Sequence, residues 1–224
     1  VEKVNYFIKS GKNLLLEILF PSSCVGCSIR GQILCTNCEQ NLRQAERPTE
    51  SNILALYDYR DPIVKKAIWE LKYHKTPYLG ARLGALLYDA MQEDIMGIQI
   101  FSQGLPIYVV PVPISKDKKN TRGYNQSEII ARSFCNSAEN NIFELKNNIV
   151  SKKLNTIPQA RLTNRSKRLQ NIKGTFEVKN GEEIKGKTVI IIDDVTTTGG
   201  TMLEMMKILK KSGAKKVVGF AVAH

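Results

Sequence analysis

A chain of 224 residues holds one substantial domain and has room for a small appended one. Its 33 Lys and Arg against 21 Asp and Glu give a formal charge of +12 and a pI near 9.5, more than solubility needs, which points to a polyanionic partner or substrate. Residues 1–8 are too polar for a secretory signal, and the apolar run 14–20 is short and broken by Glu17; no membrane span is expected, and the protein is expected to be cytoplasmic.

In chain order, residues 1–20 read as a short amphipathic helix ending at Pro21. Cys24-x2-Cys27 follows and, after seven residues, Cys35-x2-Cys38. Two thiol pairs that close together suit a tetrahedral structural zinc site, with Gly26 and Gly31 easing the turns. Two disulfides or four unrelated thiols are the alternatives, and a reducing compartment disfavours the first. So small a segment cannot build its own core, so metal would supply its folding free energy. Cys135 sits in an apolar helical pattern and reads as packing.

Residues 47–51 are a linker, dividing a module over 1–50 from a larger domain over 51–224. Residues 53–59 then form a strand, and Pro62 opens a helix reaching Lys72. A second helix spans about 78–91. Trp69 is assigned to the core and His74 to a solvated basic turn. Residues 107–113 are a strand with prolines at its carboxyl end. The basic segment 114–126 is a loop, leading into a helix over 127–135 with Asn125 as its cap. Residues 151–179 carry eight Lys or Arg against the single acid Glu177, a net +7. Within them 155–174 is polar, and on composition alone it is equally a mobile excursion over a site or a disordered basic insert.

The most informative stretch is Thr188-Val-Ile-Ile-Ile-Asp-Asp-Val-Thr-Thr-Thr-Gly-Gly-Thr201. Its β-branched run is a strand buried on both faces, as in a parallel sheet. The strand ends on Asp193 and Asp194. Thr196, Thr197, Thr198, Gly199, Gly200 and Thr201 then lead into a helix over 202–211, a strand-to-helix turn of the kind that holds ligands in open α/β sheets. Glycines, hydroxyls, inward amides and a helix dipole together make a phosphate cradle. The two acids would repel that phosphate, so they suit hydroxyl groups or a metal beside it. A ribose 5-phosphate with magnesium nearby satisfies both demands. A Walker B element is the rival, but the chain has no G-x-x-x-x-G-K-[ST]. Gly213 closes the helix, and residues 216–222 form a last strand.

This stretch resembles the phosphoribosyl-pyrophosphate (PRPP) signature of type I phosphoribosyltransferases. Taken with the four cysteines after Phe20-Pro21, Leu71-Lys72-Tyr73, Pro111-Val-Pro113, Arg122-Gly-Tyr-Asn-Gln126, Gln159-x2-Leu162 and Arg168-x2-Asn171-x2-Gly174-x-Phe176, nearly the whole chain resembles the ComF family. Thr196 and Gly200 depart from that pattern without removing a donor. The resemblance implies an α/β type I phosphoribosyltransferase fold, a parallel sheet flanked by helices, with a small amino-terminal zinc-binding module. It implies PRPP with Mg2+ as ligand: Asp193 and Asp194 on the ribose hydroxyls, Thr196 to Thr201 around the 5-phosphate, and Val112, Pro113, Ile114 and Ser115 beside the pyrophosphate. Arg122 would add charge there. The loop over 159–174 would close over the ligand, with Arg168 as its contact. Two functions follow: a competence factor handling single-stranded DNA, with a competence helicase as a further partner, or a metabolic enzyme moving phosphoribose to a nucleobase or amine. The +7 segment favours the first.

Overall fold

A computed structural model describes residues 22–46, 52–153 and 174–224, in two units that cover 1–42 and 43–224. The expected helix over 1–20, the linker at 47–51, and nearly all of the loop at 155–174 including Arg168 lie outside the described residues.

In the first unit the backbone folds back on itself around the cysteines. Ser28 and Gly31 both take left-handed conformations, Ser23 and Arg30 form an antiparallel bridge, and the Ser28 N–H donates to Cys24 O at 2.8 Å. A short helix, α1 (Thr36–Gln40), then carries Cys38 inward.

The second unit begins with β1 (Ile53–Tyr57). Asp61 caps α2 (Pro62–Tyr73) by accepting from the Ile63 and Val64 amides, with Pro62 at the first helical position. After it come α3 (Pro77–Ala90) and α4 (Gln92–Ser102). Strand β2 (Ile107–Pro111) is fully buried. The basic segment that follows is not a loop throughout. Ser115 caps a seven-residue helix, α5 (Lys116–Arg122), whose residues are all outside the core. Asn125 caps α6 (Gln126–Asn136) by accepting from the Ser127 amide, as the sequence indicates. Strands β3 (Phe143–Leu145), β4 (Val150–Lys152) and β5 (Phe176–Val178), the turn α7 (Gly181–Ile184), β6 (Thr188–Val195), α8 (Gly200–Lys211) and β7 (Lys216–Ala223) complete the unit.

Five strands make one all-parallel sheet in the order β1-β7-β6-β2-β3, while β4 and β5 pair antiparallel at the two ends of residues 153–175. Alternation along each strand serves both faces. Val189, Ile191, Val217 and Ala221 pack with Met202, Met205, Met206 and Leu209 of α8 and with Phe176 of β5. On the other face Phe134 of α6 meets Phe220 with ring centroids 6.0 Å apart. Phe176 is therefore core, and Trp69, assigned to the core from sequence, is 49% exposed. No helix among the described residues is long and apolar enough to cross a membrane.

Chain direction fixes where a ligand belongs. From β2 the chain proceeds through α5 and α6 to β3 on one side, and from β6 through α8 to β7 on the other. The neighbouring carboxyl ends of β2 and β6 thus form a topological switch point, the usual ligand crevice of an open α/β sheet.

Candidate functional site

Asp193 and Asp194 end β6 at that switch point. The turn after β2 lies beside them, because the Val112 N–H donates to Ile192 O at 2.9 Å. Asn125 Nδ2 in turn donates to Val112 O at 3.0 Å, so the residue that caps α6 also fixes the start of the 112–115 turn. The Ser127 hydroxyl and the Asp194 amide both donate to Asp193 Oδ1 at 2.9 Å. Tyr124 reaches further, its hydroxyl donating to Leu71 O at 2.6 Å at the end of α2. The Arg122-Gly-Tyr-Asn-Gln126 motif is thus a clamp joining α2, β2 and α6 around the acids. Arg122 itself lies with its guanidinium 5.5 Å from the Tyr73 ring centroid.

The two acids sit in different fields. Asp194 is 4% exposed, and Lys72 Nζ lies 3.1 Å from its Oδ2, at ion-pair distance but without hydrogen-bond alignment. Asp193 is half-buried; desolvation first, then the charge of Asp194, raises its pKa to about 7 against the lowering effect of Lys72 and Ser127. Asp194 Oδ2 is left as a buried acceptor without a hydrogen bond, the condition a ligand hydroxyl or a cation would relieve. Lys118 of α5 and Lys152 of β4 share the acids' field. Desolvation, then Arg122 and Lys72, lowers Lys118, and desolvation, then Lys118, lowers Lys152, while Asp193 acts in the opposite sense on both. Sequence reading assigned no role to Lys72, Lys118, Lys152 or Ser127. Lys72 belongs to the Leu71-Lys72-Tyr73 motif, but nothing in its spacing tells which way a helix-end lysine turns.

Thr196 donates its amide to Ala223 O at 2.9 Å, so its N–H belongs to the sheet. The turn proper runs from Thr197, which is exposed, to Gly199, which caps α8 with φ 71°. A side chain at Gly199 would meet the steric penalty of the left-handed region. The first intrahelical bond is Leu203 N–H to Gly199 O, so the amides of Gly200, Thr201 and Met202 precede the ladder, and no side chain caps them. Positive potential and amides outside the helical ladder thus lie a few residues along the chain from two carboxylates. The amide of Gly174 donates to Glu204 of α8 at 2.7 Å.

In the first unit the Sγ atoms of Cys24, Cys27, Cys35 and Cys38 all lie within 4.8 Å of one another, with Cys27 and Cys35 at 3.6 Å. A tetrahedral metal with metal–sulfur bonds of about 2.3 Å needs sulfurs about 3.8 Å apart, and the cluster fits. All four are free thiols. Burial opposes ionisation of Cys24, but amide donors bring its pKa down to about 6, whereas Cys38 is pushed up to about 12, chiefly by its hydrogen bond with Cys35. A divalent cation at the centre removes that conflict by stabilising every thiolate.

The phosphoribosyl transferase domain model matches residues 120–224, from the clamp motif through β7. Competence protein F of Haemophilus influenzae is 28% identical over 202 residues, covering 90% of this chain and 84% of its own. The DNA utilization protein YhgH of Escherichia coli strain K12 is 25% identical over 170 residues, 76% of this chain and 70% of that protein. Competence protein ComFC of Bacillus subtilis is 27% identical over 172 residues, 75% of this chain and 62% of that one. A solved allosteric regulatory enzyme of purine biosynthesis matches with 16% identity and a TM-score of 0.40 over 68% of this chain and 29% of that one. The resemblance carried by the motifs is thus matched by relatives at modest identity along most of the chain, and the domain match together with the parallel five-stranded sheet gives the chain a phosphoribosyltransferase fold.

Proposed function

We propose that this protein binds PRPP with magnesium at the β2/β6 switch point and handles single-stranded DNA in natural transformation. The observation that carries the ligand half is the buried, hydrogen-bond-free Oδ2 of Asp194, set between a lysine and an uncapped helix N-terminus. Asp193 and Asp194 take the ribose hydroxyls, and the amides and hydroxyls of Thr197 to Thr201 take the 5-phosphate. Val112 to Ser115, with Lys72, Lys118 and Lys152 around them, face the pyrophosphate. Magnesium bound with PRPP neutralises that group. Cys24, Cys27, Cys35 and Cys38 hold zinc, which supplies folding free energy to a segment too small for a core.

The DNA half rests on charge and kinship. Residues 151–179 are +7, and the relatives bear competence and DNA-utilization names.

PRPP with magnesium should raise the melting temperature, since a ligand at a hundredfold excess over its Kd stabilises the folded state by about 2.7 kcal/mol. Asp194→Asn should lose most of that rise while melting cooperatively by itself. An unchanged rise in the variant would mean the carboxylates do not touch the ligand. Pyrophosphate release over a panel of bases and amines separates a metabolic transferase from a protein that only binds PRPP.

A further inference from the structure

Helix α2 is amphipathic in an unusual way. Val64, Ala67, Ile68 and Leu71 bury one face, while the opposite stripe, at spacings of three and four, is Lys65 and Lys66, then Trp69, then Tyr73. Trp69 is 49% exposed and Tyr73 63%. Single exposed apolar residues need no explanation. These two are not single. Their ring centroids are 6.0 Å apart, the His74 ring lies 4.3 Å from Trp69, and the Arg122 guanidinium lies over Tyr73. Aromatic rings that are braced by a neighbouring cation or imidazole, yet keep open surface, are preorganised platforms. Lysines one turn away along the same stripe suit a chain that carries phosphate beside each flat, apolar group.

The stripe also abuts the acidic site. Lys72 lies between Trp69 and Tyr73 in the same helix end and reaches Asp194 at 3.1 Å. A ligand on Tyr73 is therefore one residue along the chain from Lys72, whose ammonium meets Asp194.

We propose that Trp69 and Tyr73 form a stacking ledge for unpaired bases of single-stranded DNA, with Lys65, Lys66 and Arg122 following the phosphates. The ledge rests on the DNA-handling reading above and says where on the surface the bases sit. Duplex DNA is not its ligand, because paired bases present no free faces.

Trp69 is the only tryptophan in the chain, so its emission reports the ledge directly. Saturating thymidine oligonucleotide should quench it, and the same sequence as duplex should not. Binding followed independently by anisotropy of a labelled oligonucleotide should weaken roughly tenfold or more for Trp69→Ala or Tyr73→Ala. Trp69→Phe should bind close to wild type, since the ring is kept. The salt slope should be unchanged in all three variants, because no phosphate contact is removed. Both positions are exposed, and unchanged melting curves check that the variants fold. Anisotropy that shows binding, with Trp69 emission unaltered and the alanine variants within twofold of wild type, overturns the ledge and leaves DNA handling standing; the stripe would then serve another partner. No oligonucleotide binding at low salt overturns both.

Discussion

Two adjacent carboxylates in one crevice cannot both ionise freely. Asp193, desolvated first and lying beside Asp194, has its pKa raised to about 7, while Lys72 stands 3.1 Å from the Asp194 carboxylate. The folded state then holds a proton that the unfolded chain has already released between about pH 4 and pH 7. By linkage the stability contributed at Asp193 is present at the low end of that window and is lost as pH rises through about 7. The melting temperature should fall across the window in wild type and fall less in Asp193→Asn, followed by scanning calorimetry at matched ionic strength. A slope identical in the two proteins would mean that Asp193 does not titrate there. Ligand affinity should move the other way. Ribose hydroxyls donate best to a carboxylate, and magnesium nearby favours the charged form, so PRPP should bind more tightly as pH rises through 7, with proton release in calorimetry.

At the scale of elements, close packing of α3 against α6 makes the clamp rigid. A Cβ at Gly84 would lie 2.4 Å from Ile130 O and 2.8 Å from Ser133 Cβ, while the Ser133 hydroxyl donates to Ala81 O at 2.6 Å. The obstruction is backbone, which cannot rotate away, so Gly84→Ala should cost about 1–3 kcal/mol, read from a lowered urea midpoint with little change in slope. It should also loosen Ser127 and Asn125, which α6 carries to the acids. An unchanged midpoint would mean the helices separate freely. The sequence announced the elements whose termini or period are chemically marked: Pro62, Asn125, and the β-branched run of β6. It was silent where neither marker exists. Helix α5 has no buried residue and hence no apolar period, so its lysines read as loop. Trp69 was misassigned by residue type, although it falls off the Val64, Ala67, Ile68, Leu71 face. The acids and the threonine-glycine turn were legible because their neighbours in sequence are their neighbours in space. Lys72 lies more than forty residues from Asp194 in sequence, as Lys152 does from Asp193, and only the fold brings each lysine into its acid's field.

Across the whole molecule, the four-cysteine module and the charge distribution make separate demands. Metal analysis of protein purified without added zinc should find about one equivalent per chain, and chelation should expose four thiols to a labelling reagent. Cys38→Ser should lower metal content; a full equivalent in that variant would remove Cys38 from the ligand set. The positive charge is concentrated in the chain between β4 and β5. With eight basic residues against one acid over 151–179, this segment can neutralise several phosphates wherever it lies. If on the order of five are neutralised, the log-log dependence of oligonucleotide affinity on salt has a slope of about −3.5, from roughly 0.7 per phosphate on single strands. Arg165, Lys167 and Arg168 changed together to alanine should flatten it by about 2 and weaken binding with no preference for sequence. This separates charge from stacking, since ledge variants shift affinity at constant slope. Gly174, toward the carboxyl end of this segment, donates to Glu204 of α8, the helix that follows the threonine-glycine turn, so saturating PRPP should change DNA affinity, and DNA should change PRPP affinity by the same factor. Anisotropy titrations over salt, with and without PRPP, measure both. A slope unaltered by the triple substitution would show that the segment's charge does not meet the phosphates, and equal affinities with and without PRPP would show that the two sites are uncoupled.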